Sequence, residues 1–198
     1  MRKAFLLAAA VWLMISAPAL AAGPYSAEVV IKAKGSRDAV SRVFVGGQDR
    51  WRVETGAKGE ATIVRLDRKM VLTILPASRS YFISPLSDEE AKPDFQASKP
   101  SLEAKVARKA LGKEAIGGRP ATKYYVTLSG PGQRPSARYE WLSDELGVPV
   151  KMQAVDNTWS MEYRGIKLGP QDPRLFEVPA GYAKLAIPTG PRRPPARR

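Results

Sequence analysis

Apolar and polar residues alternate in short runs along most of the chain. Arg138–Leu142 sets Arg138 and Glu140 against Tyr139 and Trp141, and Val150–Val155 and Thr158–Tyr163 repeat the pattern. A period of two is the signature of half-buried strands. Ser143–Gly147 and Asp156–Asn157 supply turn chemistry between them, since Asp and Asn tolerate left-handed backbone and bond their own chain. These runs predict an antiparallel meander ending in Leu-Phe-Glu-Val-Pro-Ala-Gly-Tyr, Leu175–Tyr182. Upstream, Tyr25–Lys34, Val40–Val45, Arg50–Glu54, Ala61–Leu66, Met70–Leu75, Ser80–Ser84 and Ala121–Leu128 read as further strands. Their turns fall at Gly35–Asp38, Gly46–Asp49, Gly56–Gly59, Asp67–Lys69 and Pro76–Ser78. Short strands at close spacing argue for an antiparallel sheet or barrel rather than βαβ units.

The pattern changes at Ser87. Ser87-Asp-Glu-Glu90 fits a capping box, and Pro93 stops or kinks the helix it would start. Ser101 can cap a second helix, Leu102–Leu111, closed by Gly112. Its apolar stripe is thin (Leu102, Val106, Ala110), which suits a helix lying over a sheet opening. Ser87–Leu111 is therefore expected to be a lid-like insertion. At the end, Gly147 permits a tight hairpin through positive φ, and Pro149 sits where a strand begins and a missing N–H does no harm. Phe176 and Val178 can tuck under the sheet edge, and Tyr182 can cover the barrel end.

The amino-terminal stretch alters the picture. Met1-Arg2-Lys3, an apolar run from Ala4 to Ile15 and small residues up to Ala21 have the build of a signal peptide, with cleavage expected after Ala21. The apolar run is shorter than the ~20 residues of a membrane span. Residues 22–185 then form one soluble exported domain, and residues 186–198 a disordered Pro- and Arg-rich tail. The net charge is +13, and Arg2 and Lys3 leave with the signal. Such charge favours anionic surfaces, and for an exported chain that means membrane head groups or an envelope partner rather than nucleic acid.

Candidate chemistry is limited by what is missing. The chain has no cysteine and no histidine. That excludes disulfides, thiolate or imidazole metal sites, and histidine-based catalytic triads. Carboxylates are available at Asp49, Asp67, Asp88–Glu90, Glu140, Asp144, Glu145 and Glu162, and a facing pair could do hydrolytic acid–base work. Most sit in turns or at a helix start, where they serve as caps. No P-loop occurs, and the glycine pairs at 46–47 and 117–118 read as turns. The sequence thus predicts a non-enzyme without metal or cofactor.

Several segments together are familiar: Gly-Lys-Glu-Ala-Ile-Gly-Gly-Arg-Pro (Gly112–Pro120) leading into Lys-Tyr-Tyr-Val (Lys123–Val126), the Leu-Gly-Val-Pro-Val-Lys hairpin (Leu146–Lys151), and the closing Leu175–Tyr182 motif. The chain resembles the LolA-like superfamily of outer-membrane lipoprotein-sorting proteins over nearly all of residues 22–185. The resemblance implies a mostly β (α+β) fold, a curved, incompletely closed antiparallel β-barrel with a short helical lid. It implies a monomeric periplasmic protein holding the acyl chain of a lipid or lipoprotein in an apolar hollow. A sensor or protein-interaction domain on the same fold is the alternative. The hollow would be lined by Trp51, Val53, Ile74 and Phe82 from the first strands and by Leu102 and Val106 from the lid. The later strands would add Tyr125, Tyr139, Trp141, Met152, Trp159 and Met161. Arg50 and Arg52 are candidates, by position, for the basic residue that latches the lid. Without cysteine the chain lacks the lipid anchor of the LolB members.

Overall fold

The computed structural model describes residues 23–56, 58–88, 90–91, 105–130 and 135–186. The expected signal peptide, Leu102 and the tail from residue 187 lie outside these. The first meander consists of β1 (Tyr25–Ala33), β2 (Ala39–Val45), β3 (Arg50–Thr55), β4 (Glu60–Arg65), β5 (Met70–Leu75) and β6 (Ser80–Pro85). The second consists of β7 (Lys105–Ile116), β8 (Arg119–Ser129), β9 (Ser136–Ser143), β10 (Pro149–Ala154) and β11 (Trp159–Leu168). A two-residue strand, β12 (Ala183–Lys184), ends the described chain.

All twelve strands belong to one open, curved sheet in the order β12-β6-β5-β4-β3-β2-β1-β11-β10-β9-β8-β7. The first meander runs outward from β1 to β6. The chain then crosses to the far edge, and the second meander runs back from β7 until β11 pairs antiparallel with β1. Nearly every expected strand is found within a residue or two of its bounds, because polar-apolar alternation and turn chemistry agree along them. Gly147 adopts φ +66, and β10 opens at Pro149.

The helical lid is a correction. Ser87 and Glu90 do form the reciprocal capping bonds, with Ser87 N–H donating to Glu90 Oε2 at 3.0 Å and Glu90 N–H to Ser87 Oγ at 3.3 Å. They close a turn, however, and no α-helix occurs among the described residues. Residues 105–111 of the expected second helix are strand. The cause is β8, whose Tyr- and Val-rich run needs a partner on each side. Gly117 and Gly118, at φ +58 and +77, make the two-residue turn that folds β7 back along it. Pairing from Lys105↔Ser129 to Ile116↔Arg119 outweighs a thin i, i+4 stripe, since helix propensity is a weak prior. Gly112 at φ +142 adjoins a β-bulge at Leu111 and does not end a helix.

Directly opposed residues in a ladder share a face, so the registers sort side chains across the sheet. The first face carries Tyr25, Val29, Val43, Val45, Trp51, Val64, Met152, Met161 and Tyr163, all at most 6 % exposed. Among the described residues no second layer covers this face, and the sheet curves around its own side chains. On the second face, Ala61, Ile63, Leu72, Ile74, Phe44 and Ile83 form a smaller cluster with Leu175, Phe176, Val178 and Tyr182 of the closing motif. No helix among the described residues is long and apolar enough to cross a membrane.

Tyr25 and Tyr163 lie together within the first-face core. Burial pushes the Tyr163 phenol up to about 12, and Tyr25 is raised as well, first by burial and then by Tyr163. Folded pKa values above the unfolded value of about 10 favour the folded state below that pH. This stability is lost as pH rises through the folded values. Unfolding followed by circular dichroism should show a loss between about pH 10 and 12, reduced in Tyr163→Phe. Normal titration of both phenols without loss of structure would contradict it.

Candidate functional site

Each strand's internal alternation is simple, but the strands' relative phases decide which residues meet. Trp51, Val53, Phe82, Met152, Trp159 and Met161 share the first face. Val106 reaches that side through Leu128. Trp51, Met152 and Met161 are 6 %, 4 % and 1 % exposed, so they form a packed floor. Ile31, Val53 and Trp159 are only half-buried and pack against this floor, and Phe82, also half-buried, stands across Thr62 and Thr73 from Val53. The first face therefore has a filled floor and an apolar mouth.

Ile74 lies elsewhere, and three other expected hollow residues are set on a different register. Ile74 packs with Phe176 on the second face. By register Tyr125, Tyr139 and Trp141 fall on the other side as well, because Trp141 opposes Lys151 and Tyr139 opposes Gln153, while Glu140 opposes Met152. Trp141 is nevertheless a buried member of the same apolar cluster as Met152 and Met161, with Tyr139 packed against it. The reason is a β-bulge: Pro149 opposes Leu142, Lys151 opposes Trp141, and Val150 is extra. Without it, Trp141 and Tyr139 would share a face with Met152. No residue type in the segment announces such a one-residue insertion.

On the second face the aromatics are tied to cations. Tyr125 meets Tyr139 edge-on at 5.7 Å, and Tyr139 lies 6.2 Å from Trp141. Lys123 and Lys151 stand 4.8 and 4.7 Å from the Trp141 ring. The indole N–H donates to Glu114 Oε2 at 2.7 Å, and that bond first, then Lys123, holds Glu114 below the usual carboxylate range. Beside this row is a shallow groove of about 170 Å³, lined by Val30, Lys32, Lys151, Gln153, Ser160, Glu162 and Arg164. Its polar lining does not suit an acyl chain.

The latch candidates grip the closing motif. Arg52 donates to the Leu175 carbonyl at 3.1 Å, and the Arg50 guanidinium lies 5.6 Å from the centre of the Phe176 ring. A third arginine, unforeseen from sequence, is the most buried. Arg65, 3 % exposed, donates to the Phe176 carbonyl at 3.2 Å, to Glu177 at 2.5 Å and to both oxygens of Asp67 at 2.8 and 2.6 Å. Its pKa is raised, chiefly by the hydrogen bonds it makes to Asp67, against the opposing effect of burial. Asp67 is held below the usual carboxylate range, first by those bonds. For Glu177, burial acts upward, but Arg65 and Arg68 outweigh it and leave the carboxyl lowered. Gly46 completes the seat, because a Cβ there would meet the Phe176 ring at 2.8 and 2.9 Å.

Among the described residues, Glu140, Glu162, Asp144 and Asp156 do not face one another as a hydrolytic pair. Glu140 and Glu162, on strands of the second meander, lie on opposite faces: Glu140 opposes Met152, and Glu162 opposes Lys151. Glu140 is bonded to Arg138 at 2.7 Å, and Glu162 to Arg164 at 3.1 Å. Asp144 binds Lys113 and Thr122, and Asp156 caps Thr158.

The fold has counterparts among solved structures. An uncharacterized conserved protein from Thermus thermophilus matches with TM-score 0.56 and 14 % identity, over 89 % of this chain and 98 % of that one. MucB in the Pseudomonas aeruginosa MucA/MucB complex matches with TM-score 0.55 and 15 % identity, over 91 % of this chain and 64 % of that one. The fold is LolA-like. The chain spans under two thirds of the MucB chain. A LolA superfamily protein from Nitrosomonas europaea also matches, with TM-score 0.38 and 14 % identity over 83 % of this chain and 96 % of that one, a likeness too low to weigh. No family model matches the sequence, and no curated protein matches it.

Gly46→Ala should push a methyl group into Phe176 and cost about 1–3 kcal/mol in urea unfolding. An unchanged midpoint would show that the ring is not seated there. Arg65→Ala should cost about 2–3 kcal/mol, partial exposure of Asp67 and Glu177 keeping the loss below that of a fully buried pair. Because Asp67 and Glu177 are lowered, this clamp's contribution is present above the usual carboxylate range. It should fade as pH falls through the folded values, and a pH series comparing Arg65→Ala with the parent should show the two converge in acid.

Proposed function

We propose that this protein is an exported, non-catalytic binding protein of the periplasm, acting as a monomer, that holds an acyl chain of a lipid or lipoprotein at the mouth of its first face. The observation that carries the reading is the continuity of an apolar floor with the half-buried apolar residues Ile31, Val53 and Trp159 packed against it. An acyl chain needs no hydrogen bonds. It gains about 0.8 kcal/mol per buried methylene, so roughly ten buried methylenes reach micromolar strength before ordering costs. The signal-like amino terminus supports export, and the positive charge favours anionic membrane surfaces. The LolA-like fold is compatible with this use, while function lives in the site rather than in the fold.

A second reading, a protein-interaction or sensor domain, is favoured by the packing of Trp51, Met152 and Met161, which leaves no open depth on the floor. MucB, a fold neighbour, is in a complex with MucA.

Delipidated protein should take up a fluorescent fatty acid and change its tryptophan emission through Trp159. Val53→Asp should weaken uptake by about tenfold or more while leaving the circular dichroism spectrum intact. Failure of the folded parent protein to take up any of a panel of fatty acids and phospholipids would reject the acyl-chain reading in favour of the protein-partner one.

A further inference from the structure

The two edges of the sheet are treated differently. At one edge the chain adds its own strand, β12, in parallel to β6 through Ala183↔Ser80 and Lys184↔Tyr81. At the other, β7 is the terminal strand, twelve residues long, and every residue from Lys105 to Ala115 is exposed. A strand at an edge presents a row of unpaired N–H and C=O groups, and proteins usually keep such edges short or covered.

The side chains of β7 say what would suit this edge. Four cations (Lys105, Arg108, Lys109, Lys113) stand against one carboxylate, Glu114. Arg108 faces Glu140 at 3.5 Å, Lys113 binds Asp144 at 2.9 Å, and Glu114 is taken by Lys123 at 3.0 Å. Among the described residues Lys105 and Lys109 have no carboxylate partner. They stand on one face, opposite Ser129 and Tyr125, with Ala107 between them. The other face of the same run carries Val106, 41 % exposed, and Ala110, with Arg108, turned to Glu140, between them. Lys105–Ala110 is also the stretch with unbroken register to β8, before the bulge at Leu111. A second copy of this edge would set lysines and arginine against their equivalents, and like charges directly opposite each other are destabilising.

We propose that the β7 edge, over Lys105–Ala110, is a docking site for an extended acidic segment of a partner protein, which adds to the sheet as a thirteenth strand. Backbone hydrogen bonds hold the segment, and carboxylates on one of its faces meet Lys105 and Lys109. Its other face presents small apolar residues beside Val106. The site is separate from the apolar mouth and does not depend on acyl-chain binding.

The probe is a fluorescently labelled peptide of alternating valine and glutamate, seven residues long, measured by anisotropy and by amide hydrogen exchange of the protein. It should bind, slow exchange across Lys105–Ala110, and bind more weakly at high salt. A central proline in the peptide, which removes an N–H and bends the strand, should abolish binding. Lys105→Glu with Lys109→Glu should weaken it about tenfold and create affinity for the matching valine–lysine peptide. Val53→Asp should leave peptide binding unchanged, so a failure here is distinguishable from a failure of the acyl-chain reading. The proposal is overturned by absence of binding, by binding without protection of β7, or by indifference to the charge reversal. It is equally overturned if β7 amides are already protected in the free protein, through self-association or cover by its own chain.

Discussion

The pairing of β1 with β11 is the bond on which the architecture rests. The chain makes two meanders, each stable only if its first or last strand finds a neighbour, and β1 is where they are sewn together. The seam runs from Tyr25↔Leu168 to Ala33↔Trp159, with a register shift that Gly165 accommodates at φ +57. It also brings Val29 against Tyr163 and Ile31 against Met161, so the join in the hydrogen-bond ladder is also the middle of the core. These contacts are far apart in sequence, and their loop-closure entropy is recovered only when the whole first face is buried.

Once the seam sets the sheet, its two faces take different roles. The first curves over its own apolar side chains. The second needs cover, and over the first meander the closing motif provides it: burying Phe176 contributes about 1.5–3 kcal/mol, and the chain around it is held through carbonyls and a carboxylate by Arg52 and Arg65. A buried guanidinium is expensive to desolvate, and Arg65 is tolerated because Asp67 and Glu177 neutralise it and a backbone carbonyl takes a further donor. Over the second meander the cover is made by lysines lying on aromatic rings. That face therefore presents charge to solvent while its rings stay sheltered.

Much of the fold was legible because the information is local. A strand such as Met70–Leu75 is bounded by turn residues on both sides, and it appears at those bounds. The β7 strand was not legible: Leu102, Val106 and Ala110 have helical spacing, and only the presence of β8 alongside makes extended chain the better state. The candidate site divides in the same way. The membership of Trp51 and Val53 on one face follows from alternation within β3. That Tyr139 and Trp141 oppose Gln153 and Lys151 rather than Met152 follows from one extra residue at Val150.

By itself, the sequence determined the β-rich character, the positions of most strands and turns, and the absence of histidine and cysteine chemistry. Each of these depends on residue type and short-range spacing. The tertiary structure decided the phase between strands, the closing motif's seat on Gly46 and Arg65, and the unequal treatment of the two sheet edges. These are relations between residues far apart in the chain. They emerge only when burial of one continuous face selects a single register from the many that local alternation permits.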